Sequence, residues 1–279
     1  MPEDTPWGRG PIVPANALPG VDTTVAHPAR MYDYFLGGKN NFPADREAAE
    51  ANLRILPTSR AMARANRAFL GRAVRHLAEE GFTQFLDLGT GIPGPGNTGE
   101  VARAVQPGAR IAYVDNDPIV SAHSRALLAD ADPAATAVVQ ADLRDPRAIL
   151  NDTAVRSVLD FDRPIAVLLV AVLHFIRDSE DPVGVVRTVM DGVPAGSRLV
   201  LTHGTGDFDL ERSKNAVREY DRATAPFVLR DFARIAEFFD GLDLVDPGLV
   251  QIPWWRPENG VVPEGSEQIW LYGGVGIKA

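Results

Sequence analysis

From Gly81 to Ala279 the chain repeats one alternation, a short apolar run followed by a stretch of helical length. The runs are FTQFLDL (82–88), RIAYVD (110–115), AVVQAD (137–142), PIAVLLVAVLHFI (164–176), SRLVLTHG (197–204), GLDLVDPGLVQI (241–252) and EQIWLYGGVGI (267–277). Pro118 and Pro182 stand where the first turn of an intervening helix is expected, the one helical position that tolerates a missing N–H. Strand alternating with helix implies an α/β fold with a mostly parallel sheet, covered on both faces. The last two runs are joined by PWWRPENGVVPEGS, which has no helical periodicity, so that pair is expected to be antiparallel.

Ahead of this unit, residues 29–80 read as helices. ARMYDYFLGG closes on paired glycines, a helix-stop signal, and DREAAEANLRIL precedes Pro57 and a long Ala- and Arg-rich helix from about Thr58 to Glu79. On that helix Met62, Phe69, Ala73 and Leu77 share an apolar side, while Arg60, Arg64, Arg67 and Arg75 stand elsewhere. Residues 1–28 hold six of the 22 prolines and no apolar period, and read as a surface arm. The expected organisation is an arm at 1–28, a helical cap at 29–80 and a ligand-binding domain at 81–279.

Composition narrows the partners. A net charge of −9 argues against nucleic acid or anionic lipid as a broad electrostatic target. No apolar run approaches the roughly 20 residues of a bilayer span. The absence of cysteine removes disulfides, thiolate metal sites and cysteine nucleophiles, and with no signal-peptide pattern in residues 1–20 it points to the cytoplasm. Histidines are not grouped with carboxylates at ligand spacing, so no metal is expected.

The first strand runs into Asp87-Leu88-Gly89-Thr90-Gly91-Ile92-Pro93-Gly94, whose glycines satisfy G-x-G-x-x-G. In an open parallel sheet the loop after the first strand comes closest to a ligand at the carboxyl ends of the strands. A dinucleotide site also needs a helix starting at the glycines, so that its N-terminal amides meet the pyrophosphate. Here Pro93 and Pro95 intervene, and the better helix start is Asn97, with Glu100 three residues on in the manner of a capping box. Residues 87–102 contain no Lys or Arg, and Asp87 sits two residues before Gly89. Such a turn repels a diphosphate and favours an ammonium or sulfonium. Asp115, ending the second strand beside Asn116, is placed for two ribose hydroxyls, and Asp142, followed by Leu143, for an adenine amino group. An acid-lined nucleoside pocket of this kind suits S-adenosylmethionine better than NAD.

D-x-G-x-G at 87–91, YVDND, ADLRDP and VAVLHFI together resemble the class I S-adenosylmethionine-dependent methyltransferases. PARMYDYFLGGKNNFPADREAAE, FLDLGTGIP, YVDNDP and the WRP segment at 255–257 are similar, more narrowly, to a bacterial family long of unknown function and now called S-adenosyl methyltransferase. The resemblance runs from about Pro28 to Lys278. It implies a Rossmann-like seven-stranded sheet, mostly parallel with an antiparallel last strand, and a helical N-terminal cap over the cofactor.

Within that frame Asp87, Gly89, Thr90, Gly91, Asp115, Asn116, Asp142 and Leu143 are the expected cofactor contacts in the sheet. Arg30 is a candidate for the cofactor's carboxylate, with Tyr32 and Asp33 closing over its methionine end; alternatively the aromatics are cap core and Gly37 and Gly38 only end a helix. His174 is placed to act as a base toward an acceptor, or else to pack against the cofactor's adenine or fill the crevice wall, and His203 is the rival base. His27, His76 and His123 are expected in solvent. The arginines 60–75 form either a solvated face or a site for an anionic substrate, and Trp254 and Trp255 either wall an acceptor pocket or plug the core. The leading function is methyl transfer to the oxygen or nitrogen of a small molecule, with a nicotinamide dehydrogenase and a non-catalytic cofactor-binding module as alternatives.

Overall fold

A computed structural model of the chain describes residues 22–127 and 132–279, so most of the expected arm, residues 1–21, lies outside the described residues. Three helices come first: α1 (Pro28–Leu36), α2 (Pro43–Ile55) and α3 (Ser59–Glu79). The alternating unit follows as β1 (Gln84–Leu88), α4 (Thr98–Val105), β2 (Arg110–Asp115), α5 (Pro118–Leu127), β3 (Thr136–Gln140), α6 (Pro146–Asn151), α7 (Thr153–Val158), β4 (Ala166–Val170), α8 (Pro182–Asp191) and β5 (Arg198–Gly204). It closes with α9 (Leu210–Val217), α10 (Phe232–Ala236), β6 (Leu242–Leu244), β7 (Val250–Gln251) and β8 (Leu271–Lys278).

The strands lie in the order β3-β2-β1-β4-β5-β8-β6, with the two-residue β7 pairing on β8 outside this path. The seven-stranded expectation holds for the main path. Its sixth run, GLDLVDPGLVQI, divides into β6 and β7, because Asp246-Pro247-Gly248 turns the chain within it and both halves pair with β8. β1 through β5 are mutually parallel and β8 is antiparallel to β5. β1 is central, and the strand order reverses between it and β4, which puts the ligand crevice at their carboxyl ends.

Alternation along the strands divides the core into two layers. Leu86, Leu88, Val167 and Leu169 point to one face and pack with Ile149, Val155, Val185 and Val189 of α6, α7 and α8. Phe85, Ala166, Leu168 and Val200 point to the other and meet Phe69, Ala73, Val74 and Leu77 of α3 and Ala102 of α4. The 3-and-4 spacing of those α3 residues makes one stripe, so the helix buries it against the sheet and leaves its arginines to the remaining sides.

The local signals are realised as chemistry. Gly37 ends α1 in the left-handed conformation (φ 86°), its amide bonded to Tyr34 O, and Gly38 N donates to Asp33 O. Asn97 caps α4 through Oδ1, which accepts from Glu100 N. Glu100 in turn accepts from Gly96 N, so the reciprocal bond closes one residue earlier than a capping box places it. Trp255 is completely buried, edge-on to Phe69 at 5.3 Å, and it is Arg72 that holds its loop by donating to the carbonyls of Trp255 and Ile252. Neither Trp254 nor Trp255 lines the crevice, so the alternative in which they wall an acceptor pocket is set aside: Trp255 plugs the core, while Trp254 is exposed.

Candidate functional site

At the carboxyl ends of β1 to β5 the fold encloses a cavity of about 610 Å³, roofed by α1, the first half of α3 and the segment 213–229. That volume lies within the roughly 300–1,000 Å³ of small-molecule sites. The glycine turn forms its floor. Gly89 has φ 73°, and a Cβ there would sit 2.3 Å from Val172 Cγ2, so the turn after β1 and the turn after β4 can approach only because residue 89 has no side chain. Gly91 also has a positive φ (66°), but a Cβ there would meet open space. Its amide donates to Asp115 Oδ2 at 2.9 Å.

The acids divide into two roles. Asp87 is buried, and its Oδ2 accepts from the hydroxyls of Thr98 (2.6 Å) and Thr90 (3.2 Å), tying the glycine turn to the start of α4. No hydrogen bond reaches its Oδ1 among the described residues, and burial raises its pKa. Asp115 takes Gly91 N on Oδ2 and Asp117 N on Oδ1, each oxygen keeping a lone pair for a ligand, and burial pushes its carboxyl up to about 6. Asn116, Asp142 and Leu143 also line the cavity. Asp142 is already engaged: its carboxylate receives the Nε and Nη2 of Arg144, which lowers its pKa, and Arg144 continues to Glu180 at 2.9 Å.

On the cap side the structure redistributes the expected roles. Arg30 lines the cavity but is 2% exposed and turned toward Asp45 (3.4 Å), Asp117 (3.8 Å) and the carbonyl of Val25. Asp33 does not reach the cavity; its carboxylate accepts from Asn40 N and Asn41 Nδ2 and braces the Gly37–Gly38 turn, where a Cβ on Gly38 would fall 2.0 Å from it. Tyr32 does line the cavity, within a chain of hydrogen bonds. Ala171 N donates to the Thr202 hydroxyl, Thr202 to Asn66 Oδ1, Asn66 Nδ2 to the Tyr32 hydroxyl, and Tyr32 to Ala63 O. This chain holds Ala171 in the left-handed region (φ 57°), which a non-glycine residue occupies at a cost. Beside it Arg67 enters the wall from α3, its Nε buried without a partner among the described residues. The sequence groups Arg67 with arginines 60–75, either a solvated face or a site for an anionic substrate, and does not separate it from the others.

The two candidate bases also separate. His174 lies in the cavity wall, stacked on Phe227 (4.1 Å between centroids, 13° between planes), and its Nδ1 accepts from Gly204 N at 3.4 Å. Burial holds its pKa well below the ordinary imidazole value, so the ring is neutral with its proton on Nε2. His203 is behind the wall. Its Nδ1 donates to Gly204 O (2.7 Å), and its Nε2 accepts from Arg230 Nη1 (2.8 Å). Burial and that guanidinium push its pKa down to about 3, and no lone pair is left for a substrate. The expectation of His203 as a base is withdrawn on this geometry.

The remaining histidines are not in solvent either. His27 lines the cavity, caps α1 through Nδ1 and stands 3.2 Å from Asp117. His123 is fully buried, and His76 is half-buried edge-on to Trp255. Among the described residues no group of three or more His, Asp or Glu could hold a metal ion, and no helix is long and apolar enough to cross a membrane.

Acids without phosphate-binding cations at the glycine turn, a strand-end carboxylate with spare lone pairs, and a guanidinium whose buried Nε has no partner among the described residues match a nucleoside carrying a cationic sulfur and an amino-acid tail. Fold and site thus define a class I methyltransferase with S-adenosylmethionine as cofactor. A family model described as S-adenosyl methyltransferase matches residues 14–279, and the chain belongs to that family. Among solved structures it is similar to a DUF574 family protein of Streptomyces avermitilis MA-4680, at 45% identity over 92% of this chain and 99% of that one (TM-score 0.88). It is similar also to a Thermobifida fusca YX protein described as a methyltransferase, at 41% identity over 93% and 97% of the two chains (TM-score 0.86). The fold is shared with magnesium protoporphyrin IX methyltransferase of Synechocystis PCC 6803, at 12% identity over 89% and 93% (TM-score 0.53). No protein of curated function matches the chain in sequence.

Proposed function

We propose that this methyltransferase acts in the cytoplasm on the oxygen or nitrogen of a small molecule, holding its cofactor with the ribose on Asp115, the adenine beside Asn116, Asp142 and Leu143, and the amino-acid tail between Asp87 and Arg67. The carrying observation is the pairing of Asp115 with Gly91 N, which fixes the carboxylate at the crevice while leaving it able to accept from two hydroxyls. When bound, S-adenosylmethionine supplies a methyl group activated by its sulfonium. The protein's own part is alignment: the Gly89–Gly91 backbone offers close approach, Asp87 Oδ1 is free to accept from an ammonium, and Arg67 can receive a carboxylate by two parallel bonds. Arg30, engaged with Asp45 and Asp117, locks the cap rather than touching ligand.

Calorimetry with S-adenosylhomocysteine tests the reading. Asp115→Ala is expected to abolish the heat, and Arg67→Ala to weaken binding by one to two orders of magnitude, about the effect of removing a charge-assisted pair. Arg30→Gln should act on thermal stability more than on affinity. Quenching or enhancement of NADH fluorescence on titration with the protein would count for the dehydrogenase alternative.

A further inference from the structure

The cavity continues past the cofactor-binding acids into a compartment of different chemistry. Its wall is made by Phe175, Tyr220 and Phe227, whose ring centroids lie 5.3 to 5.8 Å apart, with His174 stacked on Phe227. Phe175 and Phe227 are only half-buried, so part of each ring is left for a ligand. Val228 N donates to His174 O at 2.7 Å and Thr224 N to Ala26 O at 3.0 Å, which pins the segment carrying Tyr220 and Phe227 to both the sheet and the cap. Gly204 makes the stacking possible, since a Cβ there would lie 2.6 Å from Phe227 Cζ.

The polar groups of this wall are neutral. Burial keeps His174 deprotonated and raises the Tyr220 phenol above its ordinary pKa. Ser213 Oγ is buried without a partner among the described residues. Because Gly204 N occupies Nδ1, the remaining ring proton makes Nε2 a donor. Aromatic walls favour flat rings through offset and edge-on contacts, and an ionised ligand would leave water for a wall whose own polar groups carry no charge.

We propose that this aromatic wall is the acceptor subsite and that it takes an uncharged, flat aromatic ring bearing a hydroxyl, whose oxygen is positioned by the Nε2–H of His174. The proposal rests on the cofactor reading above. As that oxygen gains the methyl carbon, the carbon–sulfur bonding pair stays with sulfur and the hydroxyl proton passes to water, so His174 is a positioning residue and not the proton acceptor.

The experiment is a calorimetric titration of the full chain, saturated with S-adenosylhomocysteine, with naphthol, hydroxynaphthoate, decahydronaphthol and naphthalene. The heat of S-adenosylhomocysteine itself, measured first, reports on the cofactor reading alone. Naphthol is expected to bind about tenfold or more tighter than the anionic and the saturated analogues. Gly204→Ala, which displaces the Phe227 ring, and Phe227→Leu, which keeps apolar volume but removes the ring, should each weaken naphthol by about tenfold while cofactor-product affinity stays within about twofold. His174→Ala should weaken naphthol but not naphthalene, and His174→Gln, whose amide restores a donor, should recover most of the loss. The proposal is overturned if S-adenosylhomocysteine binds and naphthol does not, if hydroxynaphthoate or decahydronaphthol binds as tightly, or if naphthol affinity is indifferent to residues 174 and 227.

Discussion

Gly89 shows how one missing side chain controls the site. It carries a positive φ and has Val172 2.3 Å from where a Cβ would lie. Gly89→Ala therefore meets left-handed strain of roughly 1–2 kcal/mol together with overpacking of similar size. The expected outcome is a clear fall in the chemical-denaturation midpoint with loss of S-adenosylhomocysteine binding; adding Val172→Ala should recover stability only in part, because the backbone term remains. Asp115 sets the pH response. Burial raises its carboxyl from an ordinary 3.8 to about 6, so in the free protein its ionisation is resisted, and stability falls as pH rises from about 4 to about 6. Ribose hydroxyls favour the ionised form, which makes binding expel a proton near pH 6. S-adenosylhomocysteine affinity should therefore decline as pH drops below about 6 and level off above it, with proton release detectable by calorimetry in buffers of different ionisation enthalpy, and Asp115→Asn should flatten the profile. Both positions were legible in the sequence, the glycine as part of a strand-end turn and the acid as the terminus of the next strand. The charge on Arg67 was equally visible, but not its direction, since a helix side is assigned by what packs there.

Among the elements, α4 is the one whose start decides the ligand class. Asn97 Oδ1 accepts from both Glu100 N and the Tyr113 hydroxyl, while Tyr113 accepts from Gly99 N. The helix N-terminus is thereby tied to β2, as the Thr98 hydroxyl ties it to Asp87, and residues 87–102 bring acids and no Lys or Arg to the turn. Asn97→Ala should cost about 1 kcal/mol from the lost cap, read as a lowered thermal midpoint, and more if the Tyr113 hydroxyl is left unbonded in the core. The Asn97 cap, the glycine stop of α1 and the proline starts of α5 and α8 were all readable, because each depends on residues within one turn. The division of GLDLVDPGLVQI into two strands was not: both halves are defined by pairing with β8, distant in sequence.

At the scale of the whole molecule, two of the polar connections that join the cap to the sheet lie beside the cavity. One is the hydrogen-bond chain from Ala171 through Thr202 and Asn66 to Tyr32. The other is the buried group formed by His27, Arg30, Asp45 and Asp117. In the proposed binding mode a ligand held by Asp115 below and Arg67 above closes the same gap, so binding and cap docking are expected to reinforce each other. Hydrogen exchange of residues 28–36 should slow on addition of S-adenosylhomocysteine, and Asn66→Ala should speed their exchange in the free protein while reducing the ligand's protective effect; equal exchange with and without ligand would count against the coupling.

The sequence by itself determined the alternating α/β plan, the acid-lined glycine turn and the helical cap, because hydrophobic period, helix stops and strand-end positions are local properties of the chain. Only the tertiary structure decided that Arg67 enters the cavity wall while Arg30, at the same cavity, is turned to Asp45 and Asp117, that His174 faces it while His203 is spent on Arg230, and that Trp255 belongs to the core. Each of those outcomes depends on which side of an element is covered by segments far along the chain, above all residues 213–231, and a side chain's partners are fixed by that packing and not by its neighbours in sequence.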